Sequence, residues 1–343
     1  MMLPVASEAP RTVAVVGAGA WGTTLATILG DRYPRVNLWV FEADLAEAIQ
    51  CRRENGVYLP GVRIPDPVRA TSSLAEALTD VGLVLFVVPS HVFRRIASAA
   101  AAHLPSKALV ASATKGIEVE TLATMSEILA EVLPPLDRAR LAVLSGPSFA
   151  QEVARRRPTA VVAAARDPSV AGALQRAVSG GSFRVYAGLD PLGVELGGAV
   201  KNVIAIAAGI VDGLELGLNA RAALITRGLA EMSRLGVAKG AQPATFAGLA
   251  GMGDLILTAT GDLSRNRRLG MAIAGGRRLE EILAGSKSVA EGVNTCRSVV
   301  RLAERLGVEM PISRAVHRVL FEGQAPREAV VQLMTRELRF EGE

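Results

Sequence analysis

Residues 12–29 read TVAVVGAGAWGTTLATIL: five β-rich apolar residues, a GxGxxG loop and an apolar helix-like run. A strand that turns into a helix through glycines constrains the fold more than any other feature here. It fixes a βα unit of the parallel-sheet type. Gly17 permits the tight turn, Gly19 lets the backbone approach a pyrophosphate, and Gly22 allows close helix–strand packing. The following helix, with Ala20 and Trp21 in its first turn, aims free N–H groups and a positive dipole end at such a ligand. A lone GxGxxG is weak, and a tight turn in a protein that binds nothing is the alternative. Here strand and helix both flank the loop. An acid, Glu42, falls 20 residues beyond Gly22, at the end of the next β-rich run. A carboxylate there would hold the ribose diol of a dinucleotide; a surface acid after a strand is the equal alternative. Facing the ribose, Glu42 would disfavour a 2′-phosphate, which tilts the reading towards NAD over NADP.

Further β-rich runs fall at 36–41, 83–88, 108–113, 141–144, 159–163 and 183–186. Helix-like segments lie between them at 44–50, 91–103, 122–133 and 169–179. This alternation predicts a parallel sheet covered on both faces. From about Leu189 the pattern changes to Ala-, Leu- and Gly-rich stretches with helical spacing, at 195–211, 224–235, 266–274, 298–306 and 313–321. The expected fold class is α/β: a Rossmann-type dinucleotide-binding domain over 1–190, then an all-α substrate-binding and catalytic domain over 191–343. Asp190-Pro191 marks the boundary, segment 195–211 is the central helix of the second domain, and 336–343 is a frayed end.

Composition narrows the function. At 343 residues the chain has room for about two domains. Half its residues are hydrophobic and 21% are charged, which excludes a disordered chain. Lys and Arg exceed Asp and Glu by 38 to 33, but they are scattered, with Arg155-Arg156-Arg157 the densest run. Aromatics make up only 4%, so the stacking platforms of a nucleic-acid binder are missing. The mild positive balance suits small anionic ligands instead. Cys51 and Cys296 match no CxxC or zinc pattern, and His91, His103 and His317 cluster with no Cys or acid, so neither a disulfide nor a metal is expected. No uncharged apolar run reaches the ~18 residues of a membrane span. The nearest, 194–211, contains Glu195 and Lys201, and the start of the chain is no secretory signal. A soluble, cytoplasmic protein follows as the expectation.

Four segments carry candidate chemistry. Val87-Val88-Pro89-Ser90 ends a buried strand; Pro89 either lines a cofactor site or is part of a plain turn. In 112–118, SATKGIE, Lys115 sits at a strand's carboxyl end, where open α/β sheets bind ligands. In 144–150, LSGPSFA, the backbone around Gly146 and Ser148 offers N–H groups to an anion. In the helical half, Lys201 stands in GGAVKNVIA, next to Asn202. A charge in so apolar a helix is costly without a partner. Burial would also disfavour the ammonium and make the amine a usable proton donor and acceptor; a snorkelling surface Lys is the alternative. Two neighbouring glycines imply close packing. Further on, Asp254 follows a glycine-rich turn, and Ser264 is a good N-cap for a helix opening with Arg265 and Asn266. A guanidinium, an amide and a helix N-terminus together make a phosphate clamp; an ordinary capped basic helix could carry the same string.

The segments GAGAWGTTLA, VVPS, SATKGIE, LSGPSFAQEV, GGAVKNVIAIAAGIVDGL, GLAGMGDLILTATGDLSRNRRLG and AEGVNT occur in that order across nearly the whole chain. Together they resemble the NAD(P)-dependent glycerol-3-phosphate dehydrogenases of the bacterial type. The resemblance implies reversible reduction of dihydroxyacetone phosphate to sn-glycerol 3-phosphate, a phospholipid precursor, in a homodimer with its active site in an interdomain cleft. On matching positions it implies Lys201 as the acid/base, with Asp254 orienting it directly or through water. It implies that Lys115, Gly146, Ser148, Asn202, Asp254, Thr258, Ser264, Arg265 and Asn266 contact or organise the substrate. Ala20, Trp21, Lys115, Ala150, Arg265, Val289 and Glu291 would line the cofactor. One departure stands out: Phe41 occupies the place of a basic residue that many relatives carry near a 2′-phosphate. Two rivals remain. One is another hydroxyacid or sugar-phosphate dehydrogenase on the same scaffold, which would not combine this Lys with SRNR. The other is a non-catalytic nucleotide sensor, which would not need Lys201, Asp254 and Arg265.

Overall fold

The computed structural model describes residues 11–133, 140–285, 290–338 and 340. The chain divides into two compact units, one of Met1–Lys115 with Ala123–Glu195, the other of Gly116–Leu122 with Leu196–Glu343.

The first unit is built on strands β1 (Thr12–Val16), β2 (Arg35–Trp39), β3 (Glu54–Asn55), β4 (Leu59–Arg63), β5 (Val68–Thr71), β6 (Leu83–Phe86), β7 (Leu109–Ser112), β8 (Leu141–Ser145), β9 (Thr159–Ala165) and β10 (Phe183–Gly188). Eight of them form one sheet in the order β10-β9-β8-β7-β6-β1-β2-β5, and β3 and β4 form a small antiparallel ribbon. The centre of the sheet is buried on both faces because its central strands are apolar. In β1, Val13 and Val15 pack into one core layer with Leu25, Leu29 and Leu38, while Ala14 and Val16 pack into the other with Val84 and Phe86. After β2 the strand order reverses across β1 to β6. That reversal is the switch point at which such sheets open a ligand crevice.

The expected parallel sheet has one exception: β9 runs antiparallel to β8, and β10 is parallel to β9. A short helix accompanies the reversal. The helix between β8 and β9, Ala150–Ala154, has 5 residues, about 7.5 Å of rise at ~1.5 Å per residue. That is less than half the length of a strand roughly 17 Å long, and the chain enters β9 at the end of the sheet where it left β8. The next helix, Pro168–Val178, has 11 residues and restores a parallel crossover. The second β-rich run also stops early. β2 ends at Trp39, and Glu42 becomes the N-cap of the helix Ala43–Arg52.

The second unit contains no strand among its described residues. The Pro191–Gly213 helix, with a mean hydropathy of 1.6, is long and apolar enough to cross a membrane, but its most apolar 18 residues are wholly buried inside the protein. It touches the helix Arg265–Ala274 backbone to backbone. A Cβ at Gly270 would lie 2.1 Å from the Ile206 carbonyl oxygen, and one at Gly209 would lie 1.9 Å from that of Arg267. Two glycines therefore bring the helix bearing Lys201 against the helix that opens with Arg265.

In the first unit, Glu195 is buried and receives two hydrogen bonds at the start of the helix Met125–Val132. Ser126 N–H donates at 2.8 Å and Ser126 Oγ at 2.5 Å. Burial pushes its carboxyl up to about 7; hydrogen bonds from Ser126 and Thr124 oppose the shift without cancelling it. The unfolded carboxyl titrates near 4.5. The native state therefore binds the extra proton between pH 4.5 and about 7, and this contribution to stability is lost as pH rises through that window. Glu195→Gln removes the titration. Its melting temperature relative to wild type is expected to climb by several degrees (~5 °C) between pH 5 and pH 8, read by thermal unfolding at both pH values.

Candidate functional site

In the first unit, four loops follow adjacent parallel strands β1, β6, β7 and β8, so their residues gather at one edge of the sheet. The glycine loop comes first. Gly17 has φ +118°, and a Cβ there would meet the Val87 carbonyl oxygen at 2.7 Å; at Gly22 a Cβ would meet the Gly17 carbonyl oxygen at 1.8 Å. The fold itself requires both. Gly19 is different: a Cβ there meets nothing within 4 Å. It is the N-cap of the helix Ala20–Gly30, and no side chain caps that helix. Open space over an uncapped helix N-terminus is what a pyrophosphate needs, so the residues present fit a dinucleotide. Trp21, in the first helical turn, stacks at a tilt on Phe183 with centroids 6.2 Å apart, and its buried indole Nε1 has no partner.

The neighbouring loops are tied to this one. The Thr114 hydroxyl donates to the Val88 carbonyl at 2.7 Å, beside Pro89. The Lys115 ammonium donates to the Gly146 carbonyl at 3.0 Å, and the Ser148 hydroxyl donates to the same oxygen at 2.9 Å. Thr24, on the glycine-loop helix, donates to the Ala150 carbonyl at 3.1 Å. Lys115, Gly146, Ser148 and Ala150 thus share one edge of the sheet with Gly17 and Gly19. Beyond β2, the Glu42 carboxylate accepts a hydrogen bond from the Tyr58 hydroxyl at 2.9 Å. Burial and the neighbouring Glu42 carboxylate together hold the Tyr58 phenol above its ordinary range. Tyr58 escaped the sequence reading because it sits next to the short β3–β4 ribbon, which carries no apolar period.

In the second unit, Lys201 and Asp254 are 6% and 1% exposed. Their ammonium and carboxylate lie 2.5 Å apart, and the ammonium also donates to Thr258 Oγ1 at 2.6 Å. The Thr258 hydroxyl in turn donates to the Asp254 carbonyl one helical turn back. The contact between Lys201 and Asp254 is direct, and the buried ammonium is neutralised. A π-turn, Leu249–Gly253, delivers Asp254 to the first position of the helix Asp254–Thr260. Gly197 packs against the Ala250 carbonyl of that turn; a Cβ there would meet it at 2.6 Å.

A second chain of bonds starts one residue along. The Asn266 amide donates to the Asn202 amide oxygen at 2.9 Å, and the Gly292 N–H donates to the Asn266 oxygen at 3.1 Å. Ser264 caps the helix Arg265–Ala274 by accepting from the Arg267 N–H at 3.2 Å, as its sequence position predicted. This amide bridge ties the helix that carries Lys201 to the first turn of the helix that Arg265 opens. Arg265 has an exposed side chain, yet the protein crowding it depresses its basicity; the Glu291 carboxylate opposes that shift. Val289 lies outside the described residues. Phe41 and Glu42 belong to the other unit, beyond β2.

A parallel-dominated sheet with an open glycine loop, joined to a helical unit holding a buried lysine, defines a two-part dinucleotide-dependent dehydrogenase. The family follows from comparison with known proteins. Residues 12–171 match the N-terminal profile of NAD-dependent glycerol-3-phosphate dehydrogenase, and residues 190–331 match its C-terminal profile. A glycerol-3-phosphate dehydrogenase [NAD(P)+] from Citrifermentans bemidjiense is 56% identical over 330 residues, covering 96% of this chain and 98% of that protein. One from Myxococcus xanthus is 51% identical over 327 residues, covering 95% and 98%. The crystal structure of a glycerol-3-phosphate dehydrogenase from Coxiella burnetii superposes with a TM-score of 0.91 at 41% identity, covering 95% of this chain and 99% of that one. The chain belongs to the NAD-dependent glycerol-3-phosphate dehydrogenase family.

The loop geometry separates two glycine variants. Gly22→Ala forces a collision with backbone, and its melting temperature is expected to fall by ~5 °C or more. Gly19→Ala meets no protein atom, so its melting temperature should stay within ~2 °C while dinucleotide affinity drops at least tenfold. Thermal unfolding beside calorimetric NADH titration of both variants checks this.

Proposed function

We propose that this chain catalyses the reversible NAD(P)-dependent reduction of dihydroxyacetone phosphate to sn-glycerol 3-phosphate, the precursor of phospholipids. Residues 1–190 serve the dinucleotide and residues 191–343 the substrate. The observation that carries this reading is the Lys201–Asp254–Thr258 cluster, bridged through Asn202 and Asn266 to the capped helix of Arg265. When bound, the nicotinamide supplies or accepts the hydride at C2 of the substrate. The Lys201 ammonium gives its proton to the C2 oxygen as negative charge develops there. In the opposite direction Lys201 takes the hydroxyl proton. Asp254 and Thr258 fix the direction in which that proton is presented. Arg265, Asn266 and the N–H groups of the helix capped by Ser264 hold the phosphate, so binding energy remote from C2 aligns the reacting carbon.

Lys115, Gly146 and Ser148 organise the substrate from the first unit, with Lys115 adding positive charge. Ala20, Trp21, Pro89, Ala150, Arg265, Val289 and Glu291 line the cofactor. Glu42 holds the adenosine ribose diol and favours NAD. The enzyme is a cytoplasmic homodimer in this reading, as the family resemblance implies.

The direct test is oxidation of NADH and NADPH in the presence of dihydroxyacetone phosphate. Lys201→Ala is expected to lower kcat by ~10³-fold or more, because positioned proton transfer contributes about 10²–10⁴. NADH affinity should change little, which also reports that the variant is folded; a retained rate overturns the role. Arg265→Ala should raise the KM for dihydroxyacetone phosphate roughly 10- to 100-fold, the size of a lost charge-assisted hydrogen bond. Unphosphorylated dihydroxyacetone should feel no comparable effect, and an equal effect counts against the clamp.

A further inference from the structure

Phe41 and Glu42, two and three residues beyond the end of β2, have different partners. Glu42 is held by Tyr58, as described. Phe41 leaves 64% of its surface exposed, and its ring lies within reach of a cation from another element: the Arg95 guanidinium is 5.9 Å from the ring centroid. Arg95 is the third residue of the helix Phe93–Ala101, which starts just beyond β6, across β1 from β2.

The aromatic platform is fixed from below. Trp39 donates from its indole N–H to the Ser72 carbonyl at 3.0 Å, and its ring meets Phe41 edge-on at 6.2 Å. The adjacent Arg94 is committed elsewhere, to Glu131 at 2.7 Å. Among the described residues no carboxylate pairs with Arg95. A guanidinium stacked on a ring keeps its edge N–H groups for another acceptor. In this class of sheet the residues just past the second strand face the adenosine ribose, where a 2′-phosphate distinguishes NADP from NAD.

We propose that Arg95, stacked on Phe41, is the residue that receives a 2′-phosphate, so that the chain accepts NADP(H) beside NAD(H). This rests on the dinucleotide reading above and extends it. Glu42 favours the free diol; Arg95 supplies the opposing charge, and the balance of the two sets the ratio between the cofactors. Cofactor choice is then written on two elements, the turn after β2 and the helix after β6.

Calorimetric titration with adenosine 2′,5′-bisphosphate and with 5′-AMP tests this without turnover. Arg95→Ala is expected to weaken the bisphosphate at least tenfold and AMP less than twofold. Arg95→Lys keeps the charge and should recover part of the bisphosphate affinity. In the steady state, Arg95→Ala should raise the ratio of kcat/KM for NADH over NADPH by the same factor. Added salt should shrink the difference between wild type and Arg95→Ala, because the contact is exposed. Equal weakening of both nucleotides overturns the proposal, since Arg95 would then only support the local fold. So does an unchanged bisphosphate affinity. A wild type that binds the bisphosphate tightly but leaves dihydroxyacetone phosphate unreduced overturns the assigned reaction instead, and leaves the role of Arg95 standing.

Discussion

An ammonium and a carboxylate 2.5 Å apart, both shut away from water, are the constraint around which the helical unit is built. Such a pair adds little net stability, because desolvating two charges costs about as much as their attraction returns. Losing either partner would leave a buried charge alone, at a cost of roughly 3–5 kcal/mol. The surrounding backbone therefore has to hold both at once. The π-turn Leu249–Gly253 closes with a Gly253 N–H to Gly248 carbonyl bond at 3.1 Å and sets Asp254 at a helix start. Gly197 lets that turn approach the helix of Lys201. Irregular backbone of this kind is found where geometry serves chemistry more than packing.

The first unit solves a different problem, holding several loops in register. Its strands β1, β6, β7 and β8 are largely apolar and buried, and because they are mutually parallel they present their following loops at the same edge. Hydrogen bonds then lock loop to loop: Thr114 to Val88, Lys115 and Ser148 to Gly146, Thr24 to Ala150. Lys115 donates to the Gly146 carbonyl, an acceptor that carries no full charge. The sheet supplies rigidity and the loops supply polarity.

Much of this was legible in the sequence, for physical reasons that differ from place to place. Strands β1, β6 and β9 were visible because a doubly buried strand must be a continuous apolar run. The glycine loop was visible because Gly17 and Gly22 have no substitute in that geometry. Ser264 was visible because a capping hydroxyl before a basic helix has a local signature. What escaped has no local signature. β5, with sequence VRAT, is four residues long and mostly half-exposed at the sheet edge, so it shows no apolar run. The reversed direction of β9 has no signature in the residues of the strand itself. The link from Tyr58 to Glu42 and the stack of Arg95 on Phe41 join residues that only the tertiary fold brings together.

Three buried acids show where sequence patterns stop. Glu195, Glu231 and Asp254 each stand in a largely apolar helical context, and residue type does not separate them. Structure does, through what each carboxylate accepts from. Glu195 takes the Ser126 N–H and hydroxyl at one helix N-terminus. Glu231 takes the Ile312 and Ser313 N–H groups and the Ser313 hydroxyl at another. Both are satisfied by groups that carry no full charge, and burial drives both carboxyls above their ordinary range. They fasten helices. Asp254 alone of the three has an ammonium, and that ammonium stands next to the residue whose amide reaches the capped helix of Arg265. An acid whose partner can give up a proton is suited to a reaction, whereas an acid whose partners are backbone N–H groups is suited to a joint. The Pro191–Gly213 helix carries both Glu195 and Lys201, six residues apart. At about 100° per residue they point to different sides, so one helix serves the joint and the site.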